Sequence, residues 1–301
     1  MSGEIDGFRF GMVTPVAAYL MAALGSSLGL RCMVRTLHHG HGWKAGWLTL
    51  GAASIGCGIW TMHFIAMMGF TINDAHFTYD EGRTVLSLVI AIAVVSVGVF
   101  IVGYFGATVA ALGVAGPITG AGVAAMHYVG MTAMHTSGSF RYDTPLVVLS
   151  VVIAVGAATA ALWAAVRVTG FRSSLLAGLV LAVAVTAMHY TAMAALNYHP
   201  VDPAGDSHGH SSTMMLLPML TAPVFFLLFT AFIVMFDPLL LEGESGGTRT
   251  SPDSRATAAL GPSLPGQVID RSGPQGPSRQ TADQEMCYAS VRGARADRPE
   301  E

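Results

Sequence analysis

Long apolar runs alternate with short polar breaks along this chain, and the runs share one length. They fall at about 10–31, 47–70, 84–106, 113–134, 145–166, 174–196 and 214–236. A bilayer core of about 30 Å is crossed by about 20 apolar residues in a helix. The pattern therefore predicts an all-α, polytopic membrane protein with seven transmembrane helices. The boundary between the third and fourth spans is the least marked, because no Lys, Arg, Asp or Glu occurs between Thr84 and Phe140. The turn is placed between Gly103 and Gly116, which puts Pro117 in a first helical turn, where its missing N–H costs little. After Glu242 the apolar pattern stops and Gly, Pro, Ser, Arg and Asp dominate. The expected organisation is a short extracytoplasmic N-terminus over 1–9, a membrane domain over 10–238, and a disordered cytoplasmic tail over 239–301 too poor in hydrophobes to offset its ordering entropy. The start, MSGEIDGFRF, is acidic where a secretory leader is basic, so the first run reads as a retained helix.

Composition strengthens the membrane assignment. Charged residues are 11% of the chain and hydrophobic ones 52%, whereas a soluble domain carries roughly a quarter charged residues. The basic residues include a single lysine, Lys44, and no basic patch interleaved with aromatics, which sets nucleic acid aside as a partner. Lys44 lies in a predicted cytoplasmic loop, which excludes a retinal-type photoreceptor. Arg31, Arg35, Lys44, Arg167 and Arg172 flank one set of loops. Asp74, Asp80, Glu81, Asp143, Asp202 and Asp206 flank the other, with only Arg83 and Arg141 beside them. The positive-inside rule then expects the N-terminus outside and the C-terminus in the cytoplasm, which an odd number of spans requires.

One phrase recurs inside the apolar runs: WTMHFIAMM at 60–68, AAMHYVGMTAM at 124–134 and TAMHYTAMAAL at 186–196. His63, His127 and His189 are 64 and then 62 residues apart, in spans two, four and six. That spacing is the signature of a repeated two-helix unit, and all three histidines are expected at one depth in the outer half of the bilayer. Met67, Met131 and Met193 follow their histidines at i+4, on the same helix face. In the fourth span the same face continues to Met134 and His135. The preceding methionines, Met62, Met126 and Met188, are rotated by about 100° on a helix of 3.6 residues per turn. A cluster of imidazoles and thioethers suits a metal: imidazole serves copper, zinc and iron, and thioether selects copper, Cu(I) above all. A lone intramembrane histidine is often a helix–helix hydrogen bond and a lone methionine is ordinary packing. Three copies at matched depth favour a site, because ionisable groups in a bilayer are costly.

The segments GCGIWTMHFIAMMGF at 56–70, AMHYVGM at 125–131 and AMHYTAM at 187–193 resemble the MHYT domain, a bacterial seven-helix membrane module, and the resemblance covers about 10–238. It implies one or two copper ions near the outer face, held by His63, His127, His189, Met62, Met67, Met126, Met131, Met188 and Met193. It also implies a sensory role for oxygen, carbon monoxide or nitric oxide. The first motif departs from the pattern, with Phe64 where the others have Tyr128 and Tyr190. The two phenols are candidates to hydrogen-bond a ligand histidine or a metal-bound group. Many relatives carry a cytoplasmic signalling domain, whereas residues 243–301 contain none that is recognisable, so the output is expected to pass through a cytoplasmic partner.

Other residues carry less. His38, His39 and His41, and His199, His208 and His210, are loop clusters that can bind metal adventitiously. Cys57 lies on another face from His63, and three scattered cysteines make no CxxC site. Gly25 and Gly29, and Gly116 and Gly120, form GxxxG pairs that allow close helix approach. No nucleophile, carboxylate pair or phosphate loop lies within the membrane, so no enzymatic activity is expected. Besides a copper-binding sensor, two alternatives stand: a copper carrier or chaperone at the outer leaflet, and a b-type haem protein ligated by two of the histidines.

Overall fold

The computed structural model describes residues 5–8, 11–38, 44–72, 78–135, 138–200 and 212–237. Among the described residues, seven helices are long and apolar enough to cross a membrane: α1 (Val13–His38), α2 (Lys44–Met68), α3 (Glu81–Phe105), α4 (Val109–Thr132), α5 (Thr144–Arg167), α6 (Phe171–Ala194) and α7 (Ser212–Met235). The protein is a multi-pass membrane protein. Helix α1 runs past its apolar window because its last turns find partners for their cations. The Arg31 guanidinium stacks over Phe171 at 5.3 Å and that of Arg35 over Trp47 at 5.3 Å, while Arg35 also donates to Asp237 at 3.0 Å. The tail from 239 onward and the loop histidines His39, His41, His208 and His210 lie outside the described residues.

Among the described residues, six short strands add a feature the apolar pattern did not show. β1 (Ile5–Phe8) pairs with β2 (Phe70–Ile72), β3 (Thr78–Tyr79) with β4 (Met134–His135), and β5 (Gly138–Tyr142) with β6 (Leu196–Pro200), all antiparallel. The described chain is thus three βααβ units, each closed on itself by a two-stranded ribbon, followed by α7. The second and third units repeat the closure in detail. The Asp80 and Asp143 side chains cap α3 and α5, accepting from the N–H of Arg83 and Leu146. Their own N–H groups donate to the carbonyls of Ala133 and Ala195, at 2.9 Å in each case.

The turn between α3 and α4 is shorter than the glycines suggested. Gly106 adopts φ 72°, a left-handed conformation that favours glycine, and the Thr108 hydroxyl accepts from Ala111 N–H at 3.1 Å to start α4. Pro117 is therefore interior to α4 and not in its first turn. Its ring faces the carbonyl of residue i−4, Gly113, a position with nothing within 4 Å of its Cβ direction.

Helices α1 to α6 close into a ring, each packed on the next and α6 back on α1, while α7 lies against α2 and touches α1. Close approach between α1 and α2 depends on glycine. A Cβ at Gly25 would lie 2.5 Å from the Ser54 carbonyl oxygen, and one at Gly29 would overlap the Ile55 side chain. Gly120 makes the same allowance for the Val155 backbone between α4 and α5. Large apolar side chains such as Val89, Val152, Leu176, Val180 and Phe229 face outward, as a lipid-facing surface requires.

Candidate metal centre

His63, His127 and His189 each stand five residues before the last residue of α2, α4 and α6, so the same offset from the helix end sets them at one level. Their side chains are fully buried and meet at the centre of the ring. The three Nδ1 atoms form a triangle: His63 to His189 3.1 Å, His63 to His127 3.1 Å, His127 to His189 3.3 Å. The rings stand nearly perpendicular to one another, at 75–82°, like propeller blades with Nδ1 at the hub.

Hydrogen bonding alone cannot satisfy that triangle. A neutral imidazole offers either an N–H or a lone pair at Nδ1. Three mutually adjacent nitrogens must include two of the same kind, so at least one contact sets lone pair against lone pair or hydrogen against hydrogen. A cation at the hub removes the conflict by drawing on all three lone pairs. The triangle also fits in size, since its circumradius is about 1.8 Å against ~2.0–2.1 Å for a metal–imidazole bond. The triad has the donors and the geometry to hold a metal ion. With Nδ1 as ligand the proton sits on Nε2. Those of His63 and His127 are buried without a hydrogen-bond partner, so these two imidazoles lack the outer acceptor that usually orients a ligand histidine.

Packing holds the rings instead. The aromatic side chain after each histidine stands edge-on to it in all three repeats: Phe64 to His63 at 4.7 Å, Tyr128 to His127 at 5.0 Å and Tyr190 to His189 at 5.1 Å. The shared element is the ring, which explains why phenylalanine serves in the first motif. The Tyr128 phenol, a candidate from the sequence for bonding a ligand or the metal, bonds Ser150 Oγ on α5 at 2.9 Å. Trp60 supports Phe64 from behind at 4.7 Å, its indole N–H donating to Ser87 Oγ at 2.9 Å. Gly130 on α4 abuts the His63 ring, and a Cβ there would lie 2.6 Å from Nε2. No motif marks Gly130 in the sequence, because its importance depends on a residue in another helix.

Met67, Met131 and Met193 are buried about 6 Å along the helix axis from the imidazoles, one turn nearer the β-ribbons. Met62, Met126 and Met188 are also buried, and Met188 lines an apolar cavity on the opposite side of the triad. Met134 and His135 do not continue the α4 face. The helix ends at Thr132 and both residues lie in β4, where Met134 Sδ accepts from the Tyr79 hydroxyl at 3.9 Å and the exposed His135 bonds the Ala133 carbonyl at 3.1 Å. Cys57 packs with Cys32 and Leu227 toward α7, apart from the triad. His38 and His199 end α1 and lie in β6, and their side chains are outside the described residues, as are the remaining loop histidines.

A family profile described as the bacterial signalling protein N-terminal repeat, MHYT, matches residues 56–115 and 120–178. Each match begins seven residues before its histidine. Among curated proteins, the chain is 40% identical over 190 residues to the cyclic di-GMP phosphodiesterase NbdA of Pseudomonas aeruginosa, covering 60% of this chain and 23% of that protein. It is 39% identical over 157 residues to the bifunctional diguanylate cyclase/cyclic di-GMP phosphodiesterase MucR of the same organism, covering 50% and 23%. It is 29% identical over 164 residues to the signalling protein YkoW of Bacillus subtilis, covering 51% and 20%. The matched region thus spans about a fifth to a quarter of each relative's length. No solved structure matches the chain.

Proposed function

The chain belongs to the MHYT family of bacterial signalling repeats, and from that premise we propose that it is a membrane sensor whose input site is a copper ion held by His63, His127 and His189. The observation that carries the reading is the convergence of three buried Nδ1 atoms within 3.1–3.3 Å, an arrangement that hydrogen bonds cannot satisfy. Copper is favoured by charge. Among the described residues the cluster contains no carboxylate, so its ligands leave the ion's charge in place. The cost of burying a charge grows with its square, so a monovalent ion costs about a quarter of what a divalent ion of equal size does. Cu(I) is the soft monovalent ion that imidazole and thioether accept, and the buried Met67, Met131 and Met193 are its further candidate ligands.

Bound there, copper would supply one-electron redox chemistry and affinity for small diatomic gases. The chain's own residues hold three nitrogens in register, keep water from them, and wedge each imidazole against an aromatic ring. Because each ligand belongs to a different helix, a change in what the triad holds shifts α2, α4 and α6 against one another. We place the end bearing Arg31, Arg35, Lys44 and Arg167 in the cytoplasm, with the C-terminus on that side. The output class we propose is cyclic di-GMP signalling, through a partner protein or an attached domain, because NbdA and MucR are named for that chemistry.

A haem reading fares worse. Two axial nitrogens must lie on opposite faces of a porphyrin, about twice a ~2 Å metal–imidazole bond apart, whereas here all three lie within 3.3 Å of one another. The test is elemental analysis and an absorption spectrum of detergent-purified protein beside the His63, His127, His189 to Ala triple variant. Copper in the wild type, none in the variant and no Soret band is the expected result. Full copper retention by the variant would overturn the site.

A further inference from the structure

Below the triad, on the side away from the β-ribbons, the helix ring leaves a cavity of about 40 Å³. That is about three times the ~10–15 Å³ a single water-sized probe occupies. Its lining repeats the address of the imidazoles. Ile59, Val123 and Val185 lie four residues before His63, His127 and His189, and Ile55, Thr119 and Leu181 lie eight before. The cavity therefore sits about 6 to 12 Å beneath the Nδ1 triangle, coaxial with it. The lining is apolar, aliphatic side chains with Met33 and Met188, apart from Thr119, whose hydroxyl is engaged with the Val94 carbonyl at 3.4 Å, so no site for water is offered.

The space exists because α5 presents alanines where a core would be filled. Ala157, Ala158 and Ala161 line the cavity and are only half-buried, so this wall is thin and backs onto the lipid-facing side of α5. Protein interiors are otherwise close-packed, and a leucine at any of these positions would fill the gap.

We propose that this cavity is a binding chamber for one small apolar molecule of diatomic size, entered from the bilayer through the α5 wall and set one helical turn below the imidazoles. The bilayer concentrates such molecules, and the apolar lining admits them while rejecting water and ions. The layer of Ile59, Val123 and Val185 touches the chamber on one side and precedes the histidines on the other, so occupancy is felt at the triad. The chamber stands on its own lining; its link to sensing rests on the function proposed above.

Xenon is the probe. Crystals of the copper-loaded full chain under xenon pressure should show one xenon site between α5 and the Ile59, Val123 and Val185 layer. Ala161→Phe should lower its occupancy at least tenfold, and Ala157→Leu serves where that variant does not fold. The triple His→Ala variant should keep the xenon site while losing metal, so the two readings fail separately. Imidazole 15N resonances of the wild type should shift with xenon. No xenon in the wild type would overturn the chamber, and xenon bound without a shift would overturn its link to the triad.

Discussion

Gly130→Ala is the most economical probe of the centre. A Cβ at that position would lie 2.6 Å from His63 Nε2 and 3.1 Å from its Cδ2. Ordinary contact begins near 3.5 Å, so the imidazole must retreat by about 0.9 Å. It has no free direction: Phe64 stands 4.7 Å away edge-on, and the other two imidazoles close the inner side. A shift of that size exceeds the ~0.5 Å tolerance of a preorganised site, and we expect copper affinity to fall roughly 10- to 100-fold, the usual range when ligand orientation is lost. Alanine gains about 0.5–1 kcal/mol over glycine in a helix, and overpacking costs about 1–3 kcal/mol, so the net should lie between no change and a loss of about 2.5 kcal/mol. Gly113→Ala, in the same helix with nothing within 4 Å, is the control and should keep the gain alone. Copper titration and detergent unfolding of both variants decide the matter. Gly130→Ala binding copper as the wild type does, with the stability gain of Gly113→Ala, would refute the packing argument.

His127→Leu should abolish the stabilisation conferred by added copper. It should leave the copper-free protein as stable as the wild type or up to about 1 kcal/mol more so, because two of the triangle's three contacts are gone and the remaining His63–His189 pair is satisfied by one hydrogen bond; a loss of several kcal/mol would show that the triangle is satisfied without metal. Tyr128→Phe should lose about 0.5–1.5 kcal/mol with its 2.9 Å bond to Ser150 and keep full copper stoichiometry, whereas copper loss would return the phenol to the centre. Asp237→Asn removes the carboxylate that Arg35 engages at 3.0 Å and should cost about 1.5–3 kcal/mol in an unfolding titration with copper content unchanged.

The seven helices and the common level of the three histidines were legible because both follow from counting. Apolar runs near 20 residues define the spans, and offsets of 64 and 62 residues carry one unit onto the next. The ribbons escaped notice because strands as short as Thr78–Tyr79 carry no alternation to detect. The start of α4 escaped because a run without charges gives no marker for a turn as short as Gly106–Thr108. Extending the α4 face to Met134 and His135 failed for a related reason: the apolar run outlasts the helix. Convergence on Nδ1, and the vacant side chain of Gly130 that admits His63, depend on how α2 and α4 cross, and no single stretch of sequence records that.

The repeat also limits what the centre can do unaided. Three equivalent units around an axis supply three equivalent ligands, so the number of repeats sets the number of imidazoles. A threefold arrangement, however, has no preferred direction in which to pass on a displacement. Helix α7 breaks that equivalence. It has no Met-His motif and packs on α2, the helix of His63, while no seventh partner flanks α4 or α6 to a like extent among the described residues. Cys57 and Cys32 bury against Leu227 and Val234 at that contact, and Asp237, just beyond the end of α7, engages Arg35 of α1. Of the three ligand helices, α2 is therefore the one whose movement reaches the C-terminal end of the membrane domain by direct packing. On the function proposed above, a displacement of His63 would have an outlet through α7 that equal displacements of His127 and His189 lack, which would make the first repeat the one through which the centre is read.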